Sequence, residues 1–119
     1  MKKSVLIVFI LLIAALFLGC AGQRHTVQRI QQDPDPRAVN LFVDGLMFEA
    51  DQNQAAALLS YLEALLYDST SSTLNLAAAR CYYLLDRTES ALRCLDRGLR
   101  RNPQNVEAIK LLARIRFDR

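Results

Sequence analysis

Apolar residues are distributed along this chain in two different ways. From Val5 to Leu18 they form an unbroken run that follows two lysines, Lys2 and Lys3. From residue 37 onward they recur every three or four positions, which is the spacing of amphipathic α-helices. This spacing predicts an all-α fold with five helices, at residues 37–50, 54–67, 72–85, 88–101 and 105–117.

Polar and helix-breaking residues support these boundaries. Gln52-Asn53 and Asp86-Arg87 lie at two of the predicted turns, and Pro103 separates the last two helices. Thr88 is placed to cap the fourth helix, because threonine is favoured at the N-cap position, and Asn105 starts the fifth helix. Five helices divided in this way form two hairpins and a terminal helix.

The predicted helices repeat with a period of 34 residues. Aligning the sequence with itself at a shift of 34 residues superposes the small residues Gly45, Ala79 and Ala113. The same shift superposes the aromatic residues Phe48 and Tyr82. Small side chains let a helix approach its antiparallel partner closely, while large neighbours fill the gaps beside them. Further matched pairs are Ala57 with Ala91, Tyr61 with Leu95, Ala64 with Gly98 and Leu65 with Leu99.

This pattern resembles the tetratricopeptide repeat, in which a small residue on the first helix is followed three places on by an aromatic residue. The resemblance covers residues 37–119 and implies an α-solenoid of antiparallel helix hairpins, with about two repeats plus a terminal helix. Asp44, Ser69, Asn75 and Arg116 depart from the family pattern. The residues expected to pack the repeats are Gly45, Phe48, Ala57, Tyr61, Ala64, Ala79, Tyr82, Ala91, Leu95, Gly98, Pro103 and Ala113.

The resemblance also implies a binding surface, because the first helices of successive units in this family line a concave face that grips peptides or helices of partner proteins. When the chain is aligned with the family pattern, the side chains of this face change from apolar at its start to cationic at its end. Such a face suits a partner segment with apolar anchors and a carboxylate. Alternatively, the apolar members fill the core and the cations form a solvated face. The candidate groove residues are Phe42, Leu46, Leu76, Arg80, Tyr83, Lys110, Arg114 and Phe117.

The fifth predicted helix leaves apolar residues at the end of the array. We expect Ile109, Leu112 and Ala113 to face inward, and Leu111 and Ile115 to lie on another side. Solenoids normally end on a polar capping face. The outward apolar side is therefore expected to be covered by a second copy or by a larger assembly, or else to pack locally on the preceding hairpin.

The amino-terminal apolar run has the order of a secretory signal, with cations before it and Gly19-Cys20 after it. Gly19 before Cys20 resembles the lipobox of bacterial lipoproteins, which implies cleavage after residue 19 and acylation of Cys20. Phe17 stands where that family usually carries Leu, and an uncleaved signal anchor or ordinary secretion remain alternatives. The chain is accordingly divided into a signal peptide (1–19), an acylated cysteine with a flexible tether (20–36) and a helical domain (37–119).

The residue after Cys20 bears on whether the protein stays in the inner membrane or is sent to the outer membrane. In the lipoprotein family an Asp at that position often signals retention in the inner membrane, and Ala21 stands there in this chain. The resemblance therefore favours a lipid-anchored protein of the bacterial outer membrane that faces the periplasm. Its attachment to the lipid membrane would run through Cys20.

Composition and charge narrow the class of partner. The chain has 119 residues, of which 52% are apolar and 23% charged, so collagen-like and wholly disordered classes are excluded. Residues 20–79 hold three Arg and seven acidic side chains, whereas residues 80–119 hold ten cations and five acidic side chains. These charges nearly cancel, and a nearly neutral chain does not favour nucleic-acid binding, which depends on a dense basic surface.

Groups that could support catalysis are sparse. His25 is the sole histidine and lies in the predicted tether, and the sequence has no glycine-rich phosphate loop and no zinc-binding pattern. We therefore expect no enzymatic activity, no cofactor, no metal and no small-molecule substrate. Cys81 and Cys94 fall on the two helices of one hairpin, where they are either joined in a disulfide or buried as free thiols.

Together these features predict a membrane-anchored interaction adaptor or scaffold of the cell envelope, whose partner is another envelope protein. The sequence is also compatible with two alternatives. The first is a structural lipoprotein that associates with its own copies and has no client. The second is a repeat protein held by an uncleaved signal anchor.

Overall fold

The computed structural model of the protein describes residues 2–5, 7 and 33–118. The chain divides into two compact units, residues 1–31 and 32–119. In the first unit, residues 2–5 and 7 are helical and exposed. Cys20, residues 8–19 of the predicted signal peptide and residues 20–32 of the predicted tether lie outside the described residues. Within the ranges described, no helix is long and apolar enough to cross a membrane.

The second unit is built from five α-helices, and the structure confirms the predicted all-α fold. Every helix begins and ends within one residue of its predicted boundary. The helices are α1 (Pro36–Ala50), α2 (Gln54–Tyr67), α3 (Ser72–Leu84), α4 (Thr88–Arg101) and α5 (Val106–Phe117).

The first helix begins slightly earlier than predicted. Pro36, which was expected to close the tether, is the first residue of α1, where its fixed φ is already helical. Asp35 is the N-cap, and its carboxylate accepts a hydrogen bond of 2.9 Å from the Arg37 amide. The Arg37 guanidinium lies over the ring of Tyr67 at 4.2 Å from its centroid, which ties the start of α1 to the end of α2.

The two hairpins turn in the same way. Gln52 and Asp86, which are 34 residues apart, both have φ near 58°, and each follows the end of the first helix of its hairpin. The next amide in each turn donates back into the helix, from Asn53 to the Phe48 carbonyl and from Arg87 to the Tyr82 carbonyl, both at 2.8 Å. The left-handed residue and the backward hydrogen bond are features of a helix C-terminal cap.

Three of the later helices begin at side-chain caps. Asn53, Ser71 and Asn105 accept hydrogen bonds from amides three residues ahead, at the starts of α2, α3 and α5. The expectation for Thr88 is wrong, because Arg87 occupies the cap position of α4 and makes no side-chain cap hydrogen bond. Thr88 is instead the first residue of the helix.

Each hairpin packs along its length, and the second hairpin follows the first through contact of α2 with α3. The fifth helix packs on α4 and α3. Most of the residues predicted to pack the repeats are buried, but Phe48 and Ala113 are exposed, contrary to that prediction, and Pro103 lies in an exposed turn. The fully or nearly fully buried members are Gly45, Ala57, Tyr61, Ala64, Ala79, Ala91, Leu95 and Gly98.

The closest helix approach is in the first hairpin. Gly45 on α1 faces the ring of Tyr61 on α2, and a Cβ at Gly45 would overlap that ring, lying 2.7 Å from its Cζ. Because heavy atoms pack at about 3.5–4.0 Å, only glycine fits there. The small residue predicted by the repeat is therefore required by the size of its aromatic neighbour.

Candidate functional site

The helical unit contains a groove between α3 and α5. Its volume is about 200 Å³. Its floor is apolar, while cations and a tyrosine hydroxyl line its sides. The lining residues are Leu76, Arg80, Tyr83, Leu84, Glu107, Lys110, Leu111 and Arg114.

The structure divides the candidate groove residues into separate places. Leu76, Arg80, Tyr83, Lys110 and Arg114 share the α3–α5 groove. The remaining three residues lie elsewhere. Phe42 lines a second cavity of about 210 Å³ between the starts of α1 and α3, together with Val39 and Thr73. Leu46 and Phe117 are exposed and line neither cavity.

Arg80 is not free to meet an incoming carboxylate. Its guanidinium bonds the carboxylate of Glu49, at the end of α1, with an N···O distance of 3.1 Å. The carboxylate is mostly shielded from solvent, while the guanidinium is about half exposed. The pair therefore joins α1 to α3, and its Arg80 lines the groove.

Glu49 also holds a buried thiol. The Sγ of Cys81 donates to Glu49 Oε1 at 3.5 Å and lies 3.6 Å from Gln54 Oε1. Burial, strengthened by the nearby Glu49 carboxylate, raises the pKa of Cys81 to about 12. A thiol with that pKa is protonated at neutral pH and is a poor nucleophile.

Tyr61 completes this buried region. Its side chain is fully buried, and its hydroxyl has no hydrogen-bond partner among the described residues. Burial, followed by the charge of Glu49, raises the pKa of this hydroxyl. Tyr61 therefore serves packing, and its ring lies 5.7 Å from that of Phe42 in a tilted arrangement.

The cations on α5 differ from each other. Lys110 pairs with Glu107 one turn earlier, at 3.1 Å. The guanidinium of Arg114, in contrast, has no hydrogen bond or ion pair among the described residues, although Arg114 lines the groove beside Tyr83. The hydroxyl of Tyr83 donates to the carboxylate of Asp118, just beyond α5. This hydrogen bond raises the pKa of the Tyr83 hydroxyl.

Asn75 is a structural residue that the sequence left unexplained. It is fully buried where the family prefers an aromatic residue. Its amide nitrogen donates to the carbonyls of Ser69 and Ser71 at 3.3 and 2.8 Å, and its oxygen accepts from Arg97 at 3.1 Å. The side chain thus holds the turn between the hairpins, at which Ser69 replaces the usual proline.

The terminal helix has the reverse of its expected orientation. Leu111 and Ile115 are buried, whereas Ile109 and Ala113 are exposed and Leu112 is half-buried. Beside them lies a cavity of about 590 Å³ between α4 and α5. The helical period placed these residues on two faces correctly, but it could not decide which face meets α4.

The two internal cysteines are free thiols in this structure, and both are buried. Their contacts also differ, since Cys81 bonds Glu49 and the Sγ of Cys94 accepts from Arg97 at 3.3 Å. The structure therefore favours the second of the two alternatives, in which these cysteines are small core residues and are not bridged.

Comparison with known protein families identifies the family to which this architecture belongs. The tetratricopeptide repeat family model matches residues 46–115, which is more than half of the chain. The chain belongs to the tetratricopeptide repeat family. Repeats of this kind generally mediate protein–protein interaction and are typically non-catalytic, which supports an adaptor or scaffold role. No curated protein and no solved structure shows significant similarity to the chain.

Proposed function

We propose that this protein is a lipid-anchored adaptor of a bacterial cell envelope, and that it binds an acidic segment of a partner protein in the α3–α5 groove. The observation that carries the proposal is Arg114, a groove cation without a carboxylate partner among the described residues. The Arg114 guanidinium provides several donors for a carboxylate, whereas the single proton of the neighbouring Tyr83 hydroxyl is already donated to Asp118. The apolar floor contributed by Leu76 and Leu111 would receive a neighbouring apolar side chain.

The end of the chain illustrates this chemistry. Asp118 presents its carboxylate to the Tyr83 hydroxyl at the groove. A partner carboxylate that displaced Asp118 would therefore meet a donor that already binds this group. The groove volume of about 200 Å³ is smaller than a typical small-molecule pocket, which holds about 300–1,000 Å³, and suits one or two side chains of a protein segment.

The groove is tested by reversing the charge of Arg114. Full-length protein carrying a photoreactive residue at Leu84, on the groove wall, is cross-linked in membranes with and without Arg114→Glu. The matched control is Arg101→Glu, an identical charge change at the exposed end of α4. We expect one acidic envelope protein to be captured by the parent and the control, and to be lost with Arg114→Glu. Equal capture by all three proteins would refute the groove assignment.

The membrane attachment is proposed from the amino-terminal sequence. Lys2, Lys3, the apolar run and Gly19-Cys20 support cleavage and acylation at Cys20. Acyl chains stabilise attachment by about 0.8 kcal/mol per buried CH₂ group. Residues 21–35 would then act as a polar tether with an r.m.s. reach of about 20 Å, and Ala21 supports export to the outer membrane.

Attachment is tested separately with Cys20→Ser. The proposal predicts loss of palmitate labelling and of the cleaved form, while Cys94→Ser leaves both unchanged. Continued membrane association of an unprocessed Cys20→Ser protein would be expected, because the uncut apolar run remains. Absence of labelling in the parent protein would support ordinary secretion or a signal anchor and would refute acylation.

A further inference from the structure

The cavity between α4 and α5 has an apolar floor and a largely basic rim. Leu92 and Leu99 from α4 and Leu112 from α5 form the floor. Arg100 and Arg116 stand at the rim, where Asp96 pairs with Arg100 at 2.6 Å. Arg116 has no such pair among the described residues. The cavity therefore offers apolar contact together with an uncompensated positive charge.

Comparison with the preceding repeat indicates that a helix would fit the α4–α5 cavity. Thirty-four residues before Leu92, Leu112 and Ile115 stand Leu58, Ala78 and Cys81, and all three are buried within the array. The small residues Gly45 and Ala79 are buried as well, whereas the equivalent Ala113 is exposed. The α4–α5 cavity thus has the form of a helix-packing site that the described helices leave open.

A second surface elsewhere on the molecule has complementary properties. Leu59, Glu63 and Leu66 lie on the outer face of α2, at the i, i+4, i+7 spacing of one helix face. Leu59 is 69% exposed and Leu66 is 81% exposed. The repeat-equivalent residues on α4 are Arg93, Arg97 and Arg100, so an apolar and acidic outer face is a property of α2 and not of the repeat.

Charge complementarity connects the two surfaces. Residues 33–68 hold seven acidic side chains and one Arg, whereas residues 80–119 hold ten cations and five acidic side chains. Two copies that met through their α4–α5 cavities would bring Arg100 and Arg116 against their own equivalents. Two copies that met through α2 would oppose Glu63 to itself. Only contact between unlike surfaces places Glu63 beside the rim arginines.

We propose that the α4–α5 cavity binds the outer face of α2 from a second copy of this chain. Leu59 and Leu66 of the incoming helix cover Leu92, Leu99 and Leu112. Glu63 meets Arg116. Because the two surfaces differ, a chain of copies always has an unoccupied α4–α5 cavity at one end and a free α2 face at the other. Further copies can therefore add from head to tail. The α3–α5 groove is formed by other residues and does not depend on this contact.

The test uses full-length protein in detergent, with excess micelles, followed by sedimentation velocity over a range of protein concentrations. Leu59→Gln with Leu66→Gln disables the α2 face, and Arg116→Glu disables the cavity rim. Val43→Gln and Arg101→Glu are matched controls outside both surfaces. We expect the parent and the controls to grow beyond dimers, and each disabled variant to weaken association at least about tenfold, since the Leu pair loses its apolar burial and Arg116→Glu opposes Glu63.

Mixing the two disabled variants tests the direction of the contact. The Arg116→Glu protein keeps an intact α2 face, and the double-Gln protein keeps an intact cavity, so an equal mixture should form 1:1 dimers and stop there. A parent that is monomeric throughout, a parent that stops at dimers, or variants that associate like the parent would each overturn the proposal. Arg114→Glu separates this contact from the groove, because it should abolish partner capture and leave association unchanged.

Discussion

The two helical hairpins share one backbone plan and carry different surfaces. Gln52 and Asp86 adopt the same left-handed turn, and the equivalent residues Tyr61 and Leu95 are both fully buried. Outside the core the resemblance ends, because α2 exposes leucines where α4 exposes arginines. Repeat packing therefore requires only a few positions, and the remaining positions are free to specify partners.

The largest expected effect breaks the packing that is particular to the first hairpin. Gly45→Ala places a methyl group in steric overlap with one edge of the Tyr61 ring, so we expect a loss of about 3 kcal/mol in unfolding free energy. The second hairpin carries Ala79 and Leu95 at the equivalent positions. Gly45→Ala combined with Tyr61→Leu should therefore recover part of the loss. Urea unfolding followed by circular dichroism measures both, and a Gly45→Ala protein as stable as the parent would contradict the close approach.

The next effect concerns the turn that joins the hairpins. Asn75→Ala removes three hydrogen bonds, two to the carbonyls of Ser69 and Ser71 and one from Arg97, while the backbone amide of residue 75 still donates to the Ser71 carbonyl. We expect a loss of about 2 kcal/mol, because each hydrogen bond of this kind contributes about 0.5–1.5 kcal/mol net. Asn53→Ala, which removes a single exposed cap hydrogen bond in the first hairpin, should cost about 1 kcal/mol. Equal losses in the two variants would show that the buried network adds nothing.

The sequence predicted the helices well because their boundaries depend on local features. The hydrophobic period, the capping residues and the turn residues together predicted each helix boundary to within one residue. The site was predicted less completely, since it depends on which side chains meet in space. The alignment placed Arg80 and Arg114 on the same face, but nothing local to either residue showed that Glu49 engages Arg80. Likewise, the family alignment marked Asn75 only as a departure, because its partners Ser69 and Arg97 become neighbours through the hairpin fold.

A smaller effect appears at alkaline pH. The pKa of Cys81 is about 12 in the folded protein, above the ordinary value near 9 of an unfolded chain. Above pH 9 the unfolded state releases this proton while the folded state keeps it, so stability falls as pH rises. We expect Cys81 to account for a loss of about 1 kcal/mol between pH 9 and 10. Comparing the parent with Cys81→Ala over that interval checks this, since the variant should show a shallower decline.

The smallest expected effect is a gain, and it sharpens the contrast between two glycines in the array. A Cβ at Gly98 on α4 would lie 3.4 Å from Asn75 Cβ and 3.5 Å from the Ser72 carbonyl oxygen, which are ordinary contacts. Glycine inside a helix costs about 0.5–1 kcal/mol relative to alanine. Gly98→Ala should therefore stabilise the protein by about 0.5 kcal/mol, whereas Gly45→Ala destabilises it. Destabilisation of both variants would mean that the second hairpin packs as closely as the first.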